Sequence, residues 1–128
     1  MSTKGRLIDY SYGLLRIASG LMLAFHGSQK VLGVLAAHRP PVGSQLWIGG
    51  LIELAGGLLI AVGFRTRLAA FVCSGMMAVA YIQFHWKLQL GAGFWPAVNK
   101  GELALLYCFL FLYIASRGAG KWGLDKGA

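Results

Sequence analysis

The sequence predicts an all-α membrane protein folded as an antiparallel four-helix transmembrane bundle. Three observations predict this. Hydrophobic residues fill 57% of the 128 positions and charged residues only 12%, against about 25% charged in a soluble domain. The mean hydropathy is +0.63. The apolar residues gather in four runs close to the roughly 20 residues that cross a bilayer, and polar breaks separate them.

The spans lie near residues 7–27, 46–64, 68–85 and 97–116, within a single domain over 1–128. The first contains "LLRIASGLMLAFHGSQK" and ends before "AAHRPPVGSQ". Pro40 and Pro41 lack donors and force extended backbone ahead of them, so no helix passes through. The second and third are separated by "GFRTR", a turn so short that they form a hairpin. The third runs into "HWKLQLGAGFWPAVNK", where Trp86, Phe94 and Trp95 stand among polar residues as an interfacial belt does. Gly20, Gly27, Gly49, Gly56 and Gly57 are of the kind that lets helix backbones approach in lipid.

Four spans put both termini and the 63–67 turn on one side, with Lys4, Arg6, Arg65, Arg67, Arg117, Lys121 and Lys126. The other side has Lys30, Arg39, Lys87 and Lys100. The excess predicts a multi-pass protein with both termini cytoplasmic. No cleavable signal peptide is expected, because no small-residue cleavage site follows a short apolar core. The net charge of +8 raises the question of nucleic acid. Its residues are spread over loops and ends, so the expected partner is the lipid bilayer with its anionic headgroups, and no nucleic acid. Cys73 and Cys108 lie in apolar runs and read as small buried hydrophobes.

The ionisable residues inside the spans carry the functional question. A helix turns 100° and rises 1.5 Å per residue. Arg16, Gly20, Leu23, Gly27 and Lys30 therefore share a stripe of the first helix, with His26 at its edge. Arg16 comes out roughly 14 Å deep and Glu53 roughly 10 Å below the outer end of the second helix. Ser74, Ala78, Tyr81 and His85 align on the third, and Asn99 lies near Glu102 on the fourth. The candidate ligand-binding set is Arg16, His26, Lys30, Glu53, His85, Asn99 and Glu102. Charges at bilayer depth cost about 2.5–3.5 kcal/mol each on insertion scales, so they face inward and pair. The expected pairing gives Arg16 either Glu53 or Glu102, and Lys30 the other.

Such a network has three readings: a structural lock on helix register, a polar pocket for a small polar or quinone-like molecule, or a proton relay. His26 and His85 as haem ligands are disfavoured, since both fall at helix ends. No metal is expected, because the histidines and acids lack ligand spacing. No nucleophile with an adjacent base, phosphate-binding loop or nucleotide fingerprint is present.

The runs "LLRIASGLMLAFHGSQKVLG", "GGLIELAGGLLIAVGFRTRLAA", "NKGELALLY" and "GAGKWGLD" together resemble the DoxX family of small bacterial membrane proteins, over about Leu14 to Asp125. The resemblance implies a four-helix protein of the bacterial inner (cytoplasmic) membrane. It also implies a link to respiratory or sulfur redox chemistry, since the family takes its name from a subunit of a thiosulfate:quinone oxidoreductase. On this chain the family pattern covers Arg16, His26, Gly27, Lys30, Glu53, Gly56, Gly57, Arg67, Asn99 and Glu102. Gly123 departs from it, standing where serine is commoner before "LD". The subunit for which the family is named works with another chain, so catalysis does not follow from likeness.

The function expected is a redox-associated subunit with a polar intramembrane pocket for a quinone or another small molecule. It would serve beside a partner oxidoreductase subunit. The alternatives are small-molecule or ion transport by a homo-oligomer, and a membrane scaffold that recruits a redox partner.

Overall fold

The structure, a computed structural model, describes residues 2–126. Helix α1 spans Thr3–Val31, and the Ser2 hydroxyl caps it by accepting the Gly5 N–H at 3.0 Å. Its 29 residues give ~43 Å of helix, longer than the hydrocarbon core of a bilayer. Helix α2 spans Gln45–Val62, capped by the Ser44 side chain and closed by Gly63 at φ 71°. That left-handed conformation suits glycine. Helix α3 spans Thr66–Ala80 and continues without a break as a π-helical turn, Tyr81–Trp86. After a 3₁₀ turn at Ala92–Phe94 come the short α4, Pro96–Asn99, and α5, Glu102–Arg117.

Among the described residues, two helices are long and apolar enough to cross a membrane: Gln45–Val62, and Thr66–Trp86 taken with its π turn. The long segments pack side by side, α1 on α2, α2 on α3 and α3 on α5.

The α1–α2 contact is a backbone contact. Gly20 and Gly27 on α1 face Gly57 and Gly50 on the antiparallel α2. A Cβ on Gly20 would stand 2.6 Å from the Ala61 nitrogen and 2.7 Å from the Gly57 carbonyl; one on Gly27 would stand 2.5 Å from the Gly50 carbonyl. Small residues at a helix interface allow this direct van der Waals approach of the two backbones. Between α3 and α5 the contact is conventional side-chain packing, through Ala70, Cys73, Met77, Tyr107, Phe111 and Ile114. The Ser74 hydroxyl crosses it, donating to the Cys108 carbonyl at 2.6 Å.

The early turns of α1, the α2–α3 turn and the chain after α5 meet at one end. Tyr12 donates its hydroxyl to the Gly118 carbonyl at 2.6 Å. Trp122 stacks on Tyr10 at 5.4 Å. The Asp125 carboxylate caps α3 from a distance in sequence, accepting from Arg65 N, Thr66 N and Thr66 Oγ1 at 2.7–2.9 Å. Those bonds hold Asp125 below the usual carboxylate range, the Thr66 backbone N–H contributing most and its hydroxyl next. A depressed carboxylate contributes stability that is present above its ordinary pKa of about 4 and lost as pH falls through its folded value. The thermal midpoint of the wild type should therefore exceed that of Asp125→Asn above about pH 4, and the gap should close below it. A gap unchanged at pH 2.5 would show that the cap does not depend on the charge.

The helix limits differ from the expected spans in three places. α1 begins well before Leu7, because Ser2 supplies a cap. The third span ends in a π turn. The fourth does not start at Ala97: Lys100 adopts φ 63°, and the Asn99 side chain accepts the Gly101 N–H at 2.8 Å. That turn separates Asn99 from the helix that Glu102 begins.

Candidate functional site

The sequence-predicted residues divide into two groups. Arg16, Asn99 and Glu102 are not brought to a shared site. His26, Lys30, Glu53 and His85 are.

Arg16 is fully buried, and its partners are carbonyls, not carboxylates. Nε donates to Ala119 at 2.7 Å. One terminal nitrogen donates to Ile60 and Ala61 at 2.8 and 2.7 Å, and the other to Lys121 at 2.8 Å. The expected pairing with Glu53 or Glu102 is thus overturned. The guanidinium sits level with the last turn of α2. The physical reason lies in helix ends. The final carbonyls of a helix have no intrahelical donor, and a guanidinium, with five N–H donors in a planar fork, can satisfy several at once.

Asn99 is similarly committed. It donates to the Tyr81 hydroxyl at 3.1 Å and to the Gly93 carbonyl at 3.0 Å, which anchors the 92–101 segment to the π turn. Glu102 is exposed at the start of α5 and forms no ion pair among the described residues. A carboxylate there suits the positive end of the helix dipole without a cationic partner.

The second group surrounds a real feature. Lys30, near the end of α1, does not extend outward to water as a lysine at a helix end commonly does. Its side chain runs over Gly50, where an added Cβ would stand 2.6 Å from the Lys30 Cβ, and its ammonium pairs with Glu53. The Glu53 side chain is 5% exposed and that of Lys30 35%. Beside the pair is a polar chamber of about 230 Å³, lined by His26, Lys30, Glu53, His85, Lys100 and Tyr107 with apolar residues between them. The Tyr107 hydroxyl is buried without a hydrogen-bond partner. A phenol buried in an apolar core usually finds one; among the described residues the Tyr107 hydroxyl and the Trp47 indole N–H do not. A larger cavity, about 500 Å³ and mostly apolar, opens between α2 and α3. The two share Lys30, Glu53, Met77, Ala80 and His85 as a wall.

Tyr107 and Lys100 were not in the expected set. Tyr107 sits inside "ELALLYCFLFLY" and looks like one more aromatic in an apolar run. A phenol there with no polar residue one turn away was the available signal. Lys100 is delivered by the left-handed turn, which helix periodicity does not predict. His85 arrives on the π turn, a local irregularity common at functional sites.

The family model for DoxX matches residues 12–86. The chain belongs to the DoxX family. An uncharacterized protein of Haemophilus influenzae is 41% identical over 123 residues, an alignment covering 91% of this chain and 90% of that relative. No solved structure matches the chain. The DoxX match takes in Arg16, His26, Lys30, Glu53 and His85; Lys100 and Tyr107 lie beyond it. DoxX membership and the two apolar helices together mark a membrane protein.

The charges give the DoxX chamber a defined chemistry. Glu53 balances Lys30, leaving Lys100 as an excess cation on the wall. Tyr107 brings a phenol to the wall and His26 an imidazole, while His85 keeps only Nε2 for a ligand, because its Nδ1 lies 3.4 Å from the Asn99 carbonyl, which can only accept. Such a site favours a compact head that accepts hydrogen bonds, such as a carbonyl or an oxyanion.

Proposed function

We propose that this DoxX chain is a four-helix transmembrane bundle of the bacterial inner membrane, with both termini cytoplasmic, and a redox-associated subunit. Its chamber takes the head of a quinone or a similar small molecule, and electrons come from a partner oxidoreductase chain. The observation that carries this reading is the buried Tyr107 hydroxyl, without a hydrogen-bond partner among the described residues, on a residue that lines the same chamber as the partly buried Lys30–Glu53 pair. Desolvating Lys30 and Glu53 is costly, and a structural lock alone gives no reason to leave a donor unpartnered beside them.

A quinone fits the residues present. Tyr107 and Lys30 would donate to its carbonyl oxygens, and when bound it would supply reversible two-electron chemistry. The chain's own residues bind and orient: Glu53 holds Lys30 inside the chamber, and the His26 ring and Nε2 of His85 can hold or move a proton. Arg16 and Asn99 act apart from this, as structural residues.

Glu53→Gln removes the charge that holds Lys30. Binding of a quinone by purified protein in nanodiscs, followed by tryptophan quenching, should weaken at least about tenfold, as expected for a lost charge-assisted hydrogen bond. The double change Lys30→Met with Glu53→Met tests the structural alternative. It should restore folded yield without restoring binding. Wild-type protein that binds no quinone, or a double variant that binds normally, would overturn the proposal.

A further inference from the structure

Not every glycine on these helices serves close packing. A Cβ on Gly75 of α3 meets nothing within 4 Å, and one on Gly49 of α2 reaches only the Met76 sulfur, at 4.0 Å. Gly20, Gly27 and Gly57, in contrast, would drive a Cβ into backbone. Gly49 and Gly75 both line the apolar cavity between α2 and α3, and their missing side chains are what keep it open.

The α2–α3 pair is closed above and below this opening. Towards the turn, Gly56 lies against Cys73, where a Cβ would stand 2.5 Å from Sγ. At the other end, Gln45 and Gln83 bridge the helices by reciprocal amide bonds at 2.7 and 3.3 Å. Between these closures the wall is Ile48, Ile52, Val72, Met76 and Val79. Ile48 of α2 and Val72 and Val79 of α3 also face outward, 49%, 44% and 54% exposed, on the two helices most suited to lie in a bilayer. The opening is therefore lateral, towards lipid. At its inner end are Lys30, Glu53 and His85, which it shares with the polar chamber.

An apolar groove of about 500 Å³ joined to a polar chamber of about 230 Å³ matches one kind of molecule: an amphiphile with a small acceptor head and a linear apolar chain. We infer that the α2–α3 groove is the chain-binding subsite, through which a membrane-dissolved ligand slides from the bilayer into the head chamber. This inference rests on the proposed head-binding function and adds the route and the ligand class. A water-soluble molecule would have no use for a groove open to lipid.

The test compares decyl-ubiquinone with the same benzoquinone lacking the chain. Both bind nanodisc-embedded protein, read by tryptophan quenching with empty nanodiscs subtracted. Gly75→Leu fills the groove without meeting backbone. It should weaken the decyl compound at least about tenfold, the equivalent of about two displaced methylenes, and change the chainless compound less than about twofold. Val79→Trp, at an outward position on the same wall, should do the same and covers the case in which the leucine variant fails to fold. Glu53→Gln should weaken both compounds alike. If Glu53→Gln weakens both but neither groove variant discriminates, the groove assignment is wrong and the head site stands. If neither compound binds the wild type, both proposals fall. If the groove variants instead change the oligomeric state by native mass spectrometry, with no selective loss of the decyl compound, the groove is a self-association surface and the inference is overturned.

Discussion

Arg16→Met should destabilise the protein by about 3–5 kcal/mol, the scale expected when several buried carbonyls lose their donor at about 1–3 kcal/mol each. The guanidinium makes four hydrogen bonds at 2.7–2.8 Å with no solvent contact. Methionine fills a comparable volume, so packing is nearly preserved and the loss is polar. Of the four carbonyls, that of Ile60 keeps the Gly63 N–H at 3.1 Å, while those of Ala61, Ala119 and Lys121 lose the donor that Arg16 supplies. Arg16→Lys should recover only part of the loss, because an ammonium is a point donor and not a planar fork. Unfolding in detergent micelles, followed by circular dichroism, measures this. The tail also depends on Arg16, so Trp122 should lose its stacking on Tyr10 and shift its emission to the red. A loss under about 1 kcal/mol, typical of an ordinary neutral hydrogen bond, would show that the carbonyls find other donors.

The role of Arg16 marks where sequence reasoning stopped. Its burial was legible: an arginine within an apolar helix, on a stripe with three small or apolar residues, has to face inward. Its partners were not, because a charge invites pairing with a charge. The carbonyls it binds belong to helix ends and to a glycine-rich tail, which carry no distinguishing side chain. Lys30 was legible as one half of an ion pair, but depth alone left Glu53 and Glu102 equally open as its partner; the structure gives it Glu53. The stripe Arg16, Gly20, Leu23, Gly27 and Lys30 was also a sound guide to the face that meets α2.

The α5 region shows the opposite limit. Periodicity places Asn99 and Glu102 together only if one helix carries both. The left-handed Lys100 breaks that helix and turns Lys100 into the chamber wall. The π turn similarly sets His85 by a geometry that a period of 3.6 residues does not contain. A single sequence shows which residues avoid lipid more readily than it shows which irregular turn delivers them.

Glycine provides the other large effect, because the same residue type does two opposite things on these helices. Gly57→Leu should abolish the folded state or cost upwards of about 4 kcal/mol, at the extreme of single-site effects. A Cβ at Gly57 would stand 2.5 Å from the Ala24 nitrogen and 2.6 Å from the Gly20 carbonyl. Both are helix backbone, so nothing can swing aside and α1 and α2 must separate. Even Gly57→Ala meets these atoms and should be severe. Separation would also draw Lys30 away from Glu53, since the lysine reaches its partner only by crossing Gly50. Gly75→Ala is the matched control. It adds the same methyl to a helix glycine of the same protein, into space with no atom within 4 Å. It should be neutral or slightly stabilising, since alanine favours a helix over glycine by about 1 kcal/mol. Folded yield and thermal midpoint in one detergent decide the comparison. Equal losses at Gly57 and Gly75 would mean that backbone approach is not what joins α1 to α2. A large loss at Gly57 alone would tie the buried ion pair to the glycine contact that brings its two helices together.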